Sequence, residues 1–97
     1  MLKVEAAQEA AEKERVRTGI NQYIVSTWLS GDGRGFDDDT DMQQSGILDS
    51  FSTLSLIGFL ESTFKVQLEP ADINAETFKS VNSVSKLVLG KLGASTG

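Results

Sequence analysis

Near the middle of the 97-residue chain lies the stretch Gly46-Ile47-Leu48-Asp49-Ser50-Phe51-Ser52-Thr53. After this stretch, apolar side chains recur at intervals of three and four residues, which predicts an α-helix with one buried face. That face consists of Leu54, Ile57, Leu60 and Phe64, with Leu56 nearby. Ser50 stands at the start of the pattern and is predicted to be the helix N-cap, beside free backbone N–H groups and the positive end of the helix dipole. A phosphate attached to its hydroxyl would be well placed.

Upstream of this stretch, apolar residues at helical spacing predict a first helix from residue 16 to about residue 30. Its inward stripe consists of Val16, Ile20, Tyr23, Ile24 and Trp28. Ser30 and Gly31 are predicted to end this helix, since glycine readily adopts the left-handed conformation found at helix C-termini. Residues 1–15 are rich in Ala, Glu, Lys and Arg and offer little apolar surface. We therefore expect a charged helical or frayed N-terminal extension.

The sequence of the C-terminal third predicts a short helix followed by a longer one. Pro70 suits the first position of a short third helix because its missing N–H costs little there, and Ile73 is expected to face inward. Ser80 is a predicted N-cap for a fourth helix. The buried stripe of that helix consists of Val81, Val84, Leu87 and Val88. Residues 93–97 are expected to form a disordered tail. The sequence therefore predicts an all-α fold, a small four-helix bundle with a short third helix and a long first loop.

The predicted first loop, residues 30–49, is rich in glycine and aspartate. Loops of this length are uncommon unless they are functional. A phosphate-binding loop would need a Lys and a helix directly after the glycines, and no such Lys follows. A calcium loop starting at Asp37 would need Gly and Glu where the chain has Met42 and Leu48. Neither kind of site is predicted.

The chain contains no Cys and no His, so it has no thiolate nucleophile, imidazole base, disulfide or usual zinc site. An enzyme with its own catalytic set is therefore not expected. The net charge of −5, with scattered cations, argues against nucleic acid as a partner. No apolar run is long enough for a membrane span, and residues 1–10 do not resemble a secretory signal. A cytoplasmic protein is expected.

Two segments of the chain resemble the acyl carrier protein family. They are Gly46, Leu48, Asp49 and Ser50 with the apolar residue that follows, and Thr77-Phe78-Lys79-Ser80-Val81-Asn82-Ser83-Val84. The resemblance implies that residues 16–92 are a carrier domain and that Ser50 receives 4′-phosphopantetheine from coenzyme A. It also implies that Asp49 takes part in recognition by the transferase. By the same resemblance, Phe36, Met42, Ile47 and Leu48 would hold the first loop against the bundle while its Asp residues stay in solvent, and Phe51, Leu54 and Ile73 would flank the arm.

The resemblance further implies a function without catalysis, in which the thiol of the arm carries an acyl or aminoacyl group as a thioester. The implied partners are a phosphopantetheinyl transferase, an acyl- or aminoacyl-activating ligase and a downstream acyltransferase or synthase, with the carrier itself a monomer. Fatty-acid carriers typically have several acids in the second helix, whereas Glu61 is the only one here. Peptidyl carriers usually have a Gly-Gly pair shortly before the Ser, whereas this chain has Ser45 and Gly46. The chain therefore resembles acyl or D-alanyl carriers of a specialised pathway more than fatty-acid or peptidyl carriers.

Small polar side chains in the predicted second helix fall at helical spacing and indicate a face for partner proteins. This predicted partner face consists of Phe51, Ser52, Ser55, Gly58 and Ser62. Gly58 would allow a partner to approach the backbone closely. The alternative hypothesis is a helical protein-interaction module in which Ser50 only caps a helix.

Overall fold

The computed structural model describes the backbone of residues 2–96 and the side chains of residues 10–92. It contains three α-helices, α1 (Leu2–Trp28), α2 (Ser50–Phe64) and α3 (Val81–Thr96). A 3₁₀ turn, Pro70–Asp72, takes the place of the predicted short third helix. The described residues include no strand, which confirms the all-α prediction.

Each α-helix contributes one buried face to a common core. α1 buries Val16, Ile20 and Ile24, and α3 buries Val81, Val84 and Val88. α2 buries Leu56, Leu60 and Phe64. These apolar side chains leave water together, which is the main favourable contribution to folding.

Two residues that were predicted to lie in the core, Leu54 of α2 and Ile73 after the 3₁₀ turn, are at the surface instead. Leu54 is 68% exposed and Ile73 is 42% exposed, although both were expected to face inward. Apolar residues occur on every side of α2, so spacing alone does not select its buried face. The buried residues of α2 are in fact spaced by four, from Ser52 through Leu56 and Leu60 to Phe64.

The loop between α1 and α2, residues 29–49, is held to the bundle by apolar anchors and by backbone hydrogen bonds. Met42 and Leu48 are buried, and Phe36 and Ile47 pack against the core, as predicted. The Met42 N–H donates to the Lys79 carbonyl at 2.7 Å, and the Leu48 N–H donates to the Met42 carbonyl at 2.8 Å. The start of α2 is thereby fixed relative to the residues just before α3.

None of residues Asp37, Asp38, Asp39 and Asp41 is buried, as expected, but two of them also join the loop to the bundle. The Asp38 carboxylate pairs with Arg17 and accepts from Asn21 at 2.9 Å. The Asp39 carboxylate accepts from the Asn82 side chain at 2.6 Å. These contacts join the loop to α1 and α3, because carboxylates form strong charge-assisted hydrogen bonds.

The end of α1 and the start of α3 agree with the boundaries predicted from the sequence. α1 ends at Trp28, after which Ser30 and Gly31 both adopt positive φ. Ser80 accepts the Ser83 N–H at 3.2 Å and its own N–H donates to the Ser83 hydroxyl, which confirms the predicted cap of α3. α1 is continuous through residue 15. α3 runs through Thr96 and so includes residues 93–96 of the expected disordered tail, whereas residue 97 lies outside the described part. No helix between residues 2 and 96 is long and apolar enough to cross a membrane.

Candidate functional site

Ser50 is the first residue of α2, and the N-cap is Asp49. The prediction that Ser50 caps the helix is therefore wrong by one position. Asp49 has extended backbone dihedrals, and its carboxylate accepts the Ser52 N–H at 2.9 Å. Aspartate and serine are similarly good N-caps, so the Asp-Ser pair offers two candidates in a row, and Asp49 takes the position.

The Ser50 side chain is exposed and its hydroxyl makes no hydrogen bond with the described part of the chain. The first N–H groups of an α-helix lack partners within the helix and carry the positive end of its dipole. Although the Asp49 carboxylate already accepts the Ser52 N–H, a phosphate ester on Ser50 Oγ would lie at the positive end of the dipole without displacing a contact of the Ser50 hydroxyl itself. The local geometry fits a covalently attached phosphate.

Ser52 is only 3% exposed, and its hydroxyl is fully engaged. It accepts the Asp49 N–H at 2.8 Å and lies 3.0 Å from both the Ile47 carbonyl and the Asp49 carboxylate. Ser52 and Asp49 therefore form a reciprocal capping box that stabilises the first turn of α2. Because Ser52 is buried, it is not part of an exposed partner face, contrary to the prediction.

The rest of the predicted partner face divides between inward and outward positions. Ser55 is half-buried, and its carbonyl accepts from the Tyr23 hydroxyl at 3.3 Å. Gly58 and Ser62 are exposed, and a Cβ added at Gly58 would meet no atom within 4 Å. The fold itself therefore does not require glycine at position 58.

Three large apolar side chains are exposed among the described residues, and two of them follow Ser50 in α2. Phe51 is 75% exposed and Leu54 is 68% exposed, one turn further along α2. Ile73, after the 3₁₀ turn, is the third such side chain among the described residues. The partner-face prediction omitted Leu54 and Ile73, although the family resemblance implied that both flank the arm. The exposure of Leu54 could not be read from spacing in a helix that is apolar on all sides.

The Asp49 carboxylate has a pKa below its ordinary value, chiefly because the Ser52 backbone N–H donates to it and secondly because the Ser52 hydroxyl does so. Hydrogen bonds to the charged form favour that form. The first turn of α2 contains no acidic residue, so Asp49 alone supplies a negative side chain at this helix end.

The depressed pKa of Asp49 predicts how the cap responds to pH. A lowered folded-state pKa stabilises the protein above the unfolded value, about 3.9, and this contribution disappears as the pH falls through the folded value. Asp49→Asn, which keeps a capping oxygen, should therefore lower the unfolding free energy at neutral pH and match wild type in strong acid. Urea unfolding across the acid range measures this difference. A difference that stays constant with pH would contradict the assignment.

Comparison with known proteins places this site in a family context. A family model described as a phosphopantetheine attachment site matches residues 23–88, a range that includes Ser50. The D-alanyl carrier proteins of Lactococcus lactis subsp. cremoris strains MG1363 and SK11 are each 32% identical over 68 residues, covering 70% of this chain and 86% of theirs. The D-alanyl carrier protein of Lactococcus lactis subsp. lactis strain IL1403 has the same identity and coverage.

Proposed function

This chain belongs to the phosphopantetheine carrier family, whose domain is the site of covalent 4′-phosphopantetheine attachment, and we propose that Ser50 is the residue that receives the group. The observation that carries the proposal is a hydroxyl at the first position of α2 that is exposed and free of hydrogen bonds to the described residues. The neighbouring Ser52 is buried and engaged in the cap. Of these two hydroxyls, Ser50 is therefore the one open to an enzyme.

The chemistry at Ser50 is transfer from coenzyme A by a separate phosphopantetheinyl transferase with Mg²⁺. Ser50 Oγ attacks the phosphorus that bears the pantetheine, a new O–P bond forms, and the bond to 3′,5′-adenosine diphosphate breaks. A base of the transferase takes the hydroxyl proton. Asp49 holds the first turn of α2 in place through its hydrogen bond with the Ser52 N–H.

When attached, 4′-phosphopantetheine supplies a thiol that holds an acyl or aminoacyl group as a thioester. The D-alanyl carrier relatives favour an aminoacyl or small acyl cargo. The partners that follow from this function are an activating ligase and a downstream acyltransferase or synthase. The chain would act in the cytoplasm as a monomeric, non-catalytic carrier, with residues 16–92 as a four-helix carrier bundle whose third helix is reduced to Pro70–Asp72.

The absence of Cys gives a direct test of this function. After incubation with coenzyme A, Mg²⁺ and a broad-specificity transferase, followed by removal of coenzyme A, a thiol reagent should detect one thiol per chain. The same protein without transferase should show none. A protein that gains no thiol would contradict the carrier function and favour the interaction-module hypothesis.

The surface that we propose for partner docking is apolar rather than acidic. Phe51, Leu54, Gly58 and Ser62 are exposed along α2 and carry no charge. Salt screens interactions between exposed charges but has little effect on apolar burial. Docking on this surface would therefore depend on shape and apolar contact.

Partner affinity is accordingly expected to change by less than about threefold between low and high NaCl concentration, because screening acts on charges that this surface lacks. Equilibrium titration of the carrier against its activating ligase measures the effect. Equilibrium affinity is the correct readout because the net charge of −5 still influences association rates. A steep loss of affinity with added salt would contradict an apolar docking surface.

A further inference from the structure

Residues 73–78, which we call the Ile73 segment, carry an exposed apolar side chain on backbone that is neither helix nor strand. Its first four residues are exposed, and within the segment only Phe78 is buried. Apolar packing therefore does little to fix the position of Ile73. Just before the segment, the Asp72 carboxylate pairs with the Lys91 ammonium of α3 at 2.7 Å, which holds one side of it.

The other side of the Ile73 segment is held by hydrogen bonds to its carbonyl groups. The Gln43 side-chain amide donates to the Ala75 carbonyl at 3.0 Å and to the Phe78 carbonyl at 3.3 Å. The Ser83 hydroxyl of α3 donates to the Thr77 carbonyl at 2.8 Å. Gln43 lies in the loop between α1 and α2, so a single side chain joins that loop to residues 32 and 35 positions later.

The backbone beside Gln43 leads directly to Ser50. Met42, the residue before Gln43, accepts the Leu48 N–H on its carbonyl at 2.8 Å. Leu48 in turn stands two residues before Ser50. Contacts on either side of the peptide bond between residues 42 and 43 thus link the approach to α2 with the Ile73 segment.

The contact made by Gln43 is specific to that position. A primary amide has two N–H donors, and Gln43 aims its amide nitrogen at two carbonyls although its side chain is exposed. Fixing a long exposed side chain costs conformational entropy. Gln44 has the same side chain at the next position and is also exposed, yet only its backbone N–H is hydrogen-bonded to the described residues.

We propose that Gln43 is a positioning residue for docking of the phosphopantetheinyl transferase. By holding the Ile73 segment against the loop that leads to Ser50, Gln43 presents Ile73 as a fixed apolar contact for that enzyme. The transferase is the partner because it must cover the surroundings of Ser50 Oγ to modify it. A contact that is fixed before binding costs less ordering entropy on association. The inference rests on the carrier function proposed above and extends the apolar docking surface beyond α2.

Steady-state kinetics of a broad-specificity transferase on the full, unmodified chain tests the proposal. Gln43→Ala should raise the KM for the carrier about fivefold and change kcat by less than about twofold, because a docking contact stabilises ground and transition states equally. Gln44→Ala is the matched control and should change neither constant. An unchanged KM in Gln43→Ala, or an equal rise in Gln44→Ala, would overturn the proposal.

An isosteric pair of variants tests the donor itself. Gln43→Glu keeps the shape of the side chain but replaces the amide nitrogen with an oxygen that cannot donate at neutral pH. It should raise the KM at least as much as Gln43→Ala does. Gln44→Glu introduces the same charge one residue away and should leave the KM unchanged. Wild-type kinetics in Gln43→Glu would contradict a role for the amide donor.

A double-mutant cycle with Ile73 separates positioning from a general loss of stability. Ile73→Ala should raise the KM about tenfold, and adding Gln43→Ala should then raise it by less than about twofold, because the contact that Gln43 positions is already gone. A merely structural role would instead give the same effect of Gln43→Ala in both backgrounds. That additive result would overturn the proposal, even if Gln43→Ala lowers the Tm.

The wild-type chain distinguishes failure of this inference from failure of the function on which it rests. Intact mass reports whether the transferase modifies the chain at all. A modified wild-type chain with an unchanged KM in Gln43→Ala would overturn the role of Gln43 alone. A wild-type chain that gains no phosphopantetheine would contradict the carrier function, and the role of Gln43 with it.

Discussion

Ser50→Ala is expected to gain no phosphopantetheine when incubated with coenzyme A, Mg²⁺ and a transferase, while keeping the Tm of the wild-type protein. The Ser50 hydroxyl is exposed and makes no hydrogen bond to the described residues, so its removal costs the fold little. Intact mass after incubation measures the modification, and thermal unfolding measures stability. Removal of the Ser50 hydroxyl should therefore abolish the modification and leave the stability of the fold unchanged.

Ser52→Ala is the matched control, because it makes the same change two residues away at a buried site. The Ser52 hydroxyl accepts the Asp49 N–H in the capping box, so its loss should lower the free energy of unfolding by about 1–2 kcal/mol. The variant should still receive one phosphopantetheine while folded. Modification of Ser50→Ala, or failure to modify folded Ser52→Ala, would contradict the assignment of roles to the two serines.

Leu60→Ala is expected to lower the free energy of unfolding by about 2–5 kcal/mol, the range for deleting a fully buried leucine side chain. Leu60 is 0% exposed and lies in the second half of α2, within the core shared with α1 and α3. The loss combines removal of buried apolar surface with the cavity that remains. Urea unfolding monitored by far-UV circular dichroism measures it.

Leu54→Ala provides the same substitution at an exposed position of the same helix. Leu54 is 68% exposed, so the free energy of unfolding should change by no more than about 0.5 kcal/mol. Its loss should instead weaken interaction with the transferase or ligase, because Leu54 belongs to the proposed docking surface. Equal destabilisation by the two substitutions would contradict the orientation of α2.

The sequence was sufficient to predict the long helices and the buried stripes of α1 and α3. Those stripes stand beside clearly polar residues, so their spacing points to one face. It was also sufficient for the loop anchors Met42 and Leu48, which are apolar residues in an otherwise polar segment. Where polar and apolar residues separate cleanly, periodicity carries structural information.

The errors arose where two residues compete for one position or where tertiary contacts decide. Asp49 and Ser50 are both good N-caps, and the capping box with Ser52 favours Asp49. Leu54 was assigned to the core because α2 is apolar on all sides, and only packing against α1 and α3 selects the face. The pairing of Asp38 with Arg17 joins residues 21 positions apart, a distance at which local patterns hold no information.

The central claim is that one hydroxyl, Ser50 Oγ, is the attachment point. Tandem mass spectrometry of the intact wild-type protein after transferase treatment tests it most directly, because backbone fragments locate the added mass on the chain. We expect a single phosphopantetheine on Ser50 and unmodified fragments on both sides of it. A group located on Ser45, Ser52 or Ser55, or a protein with no added mass, would contradict the claim.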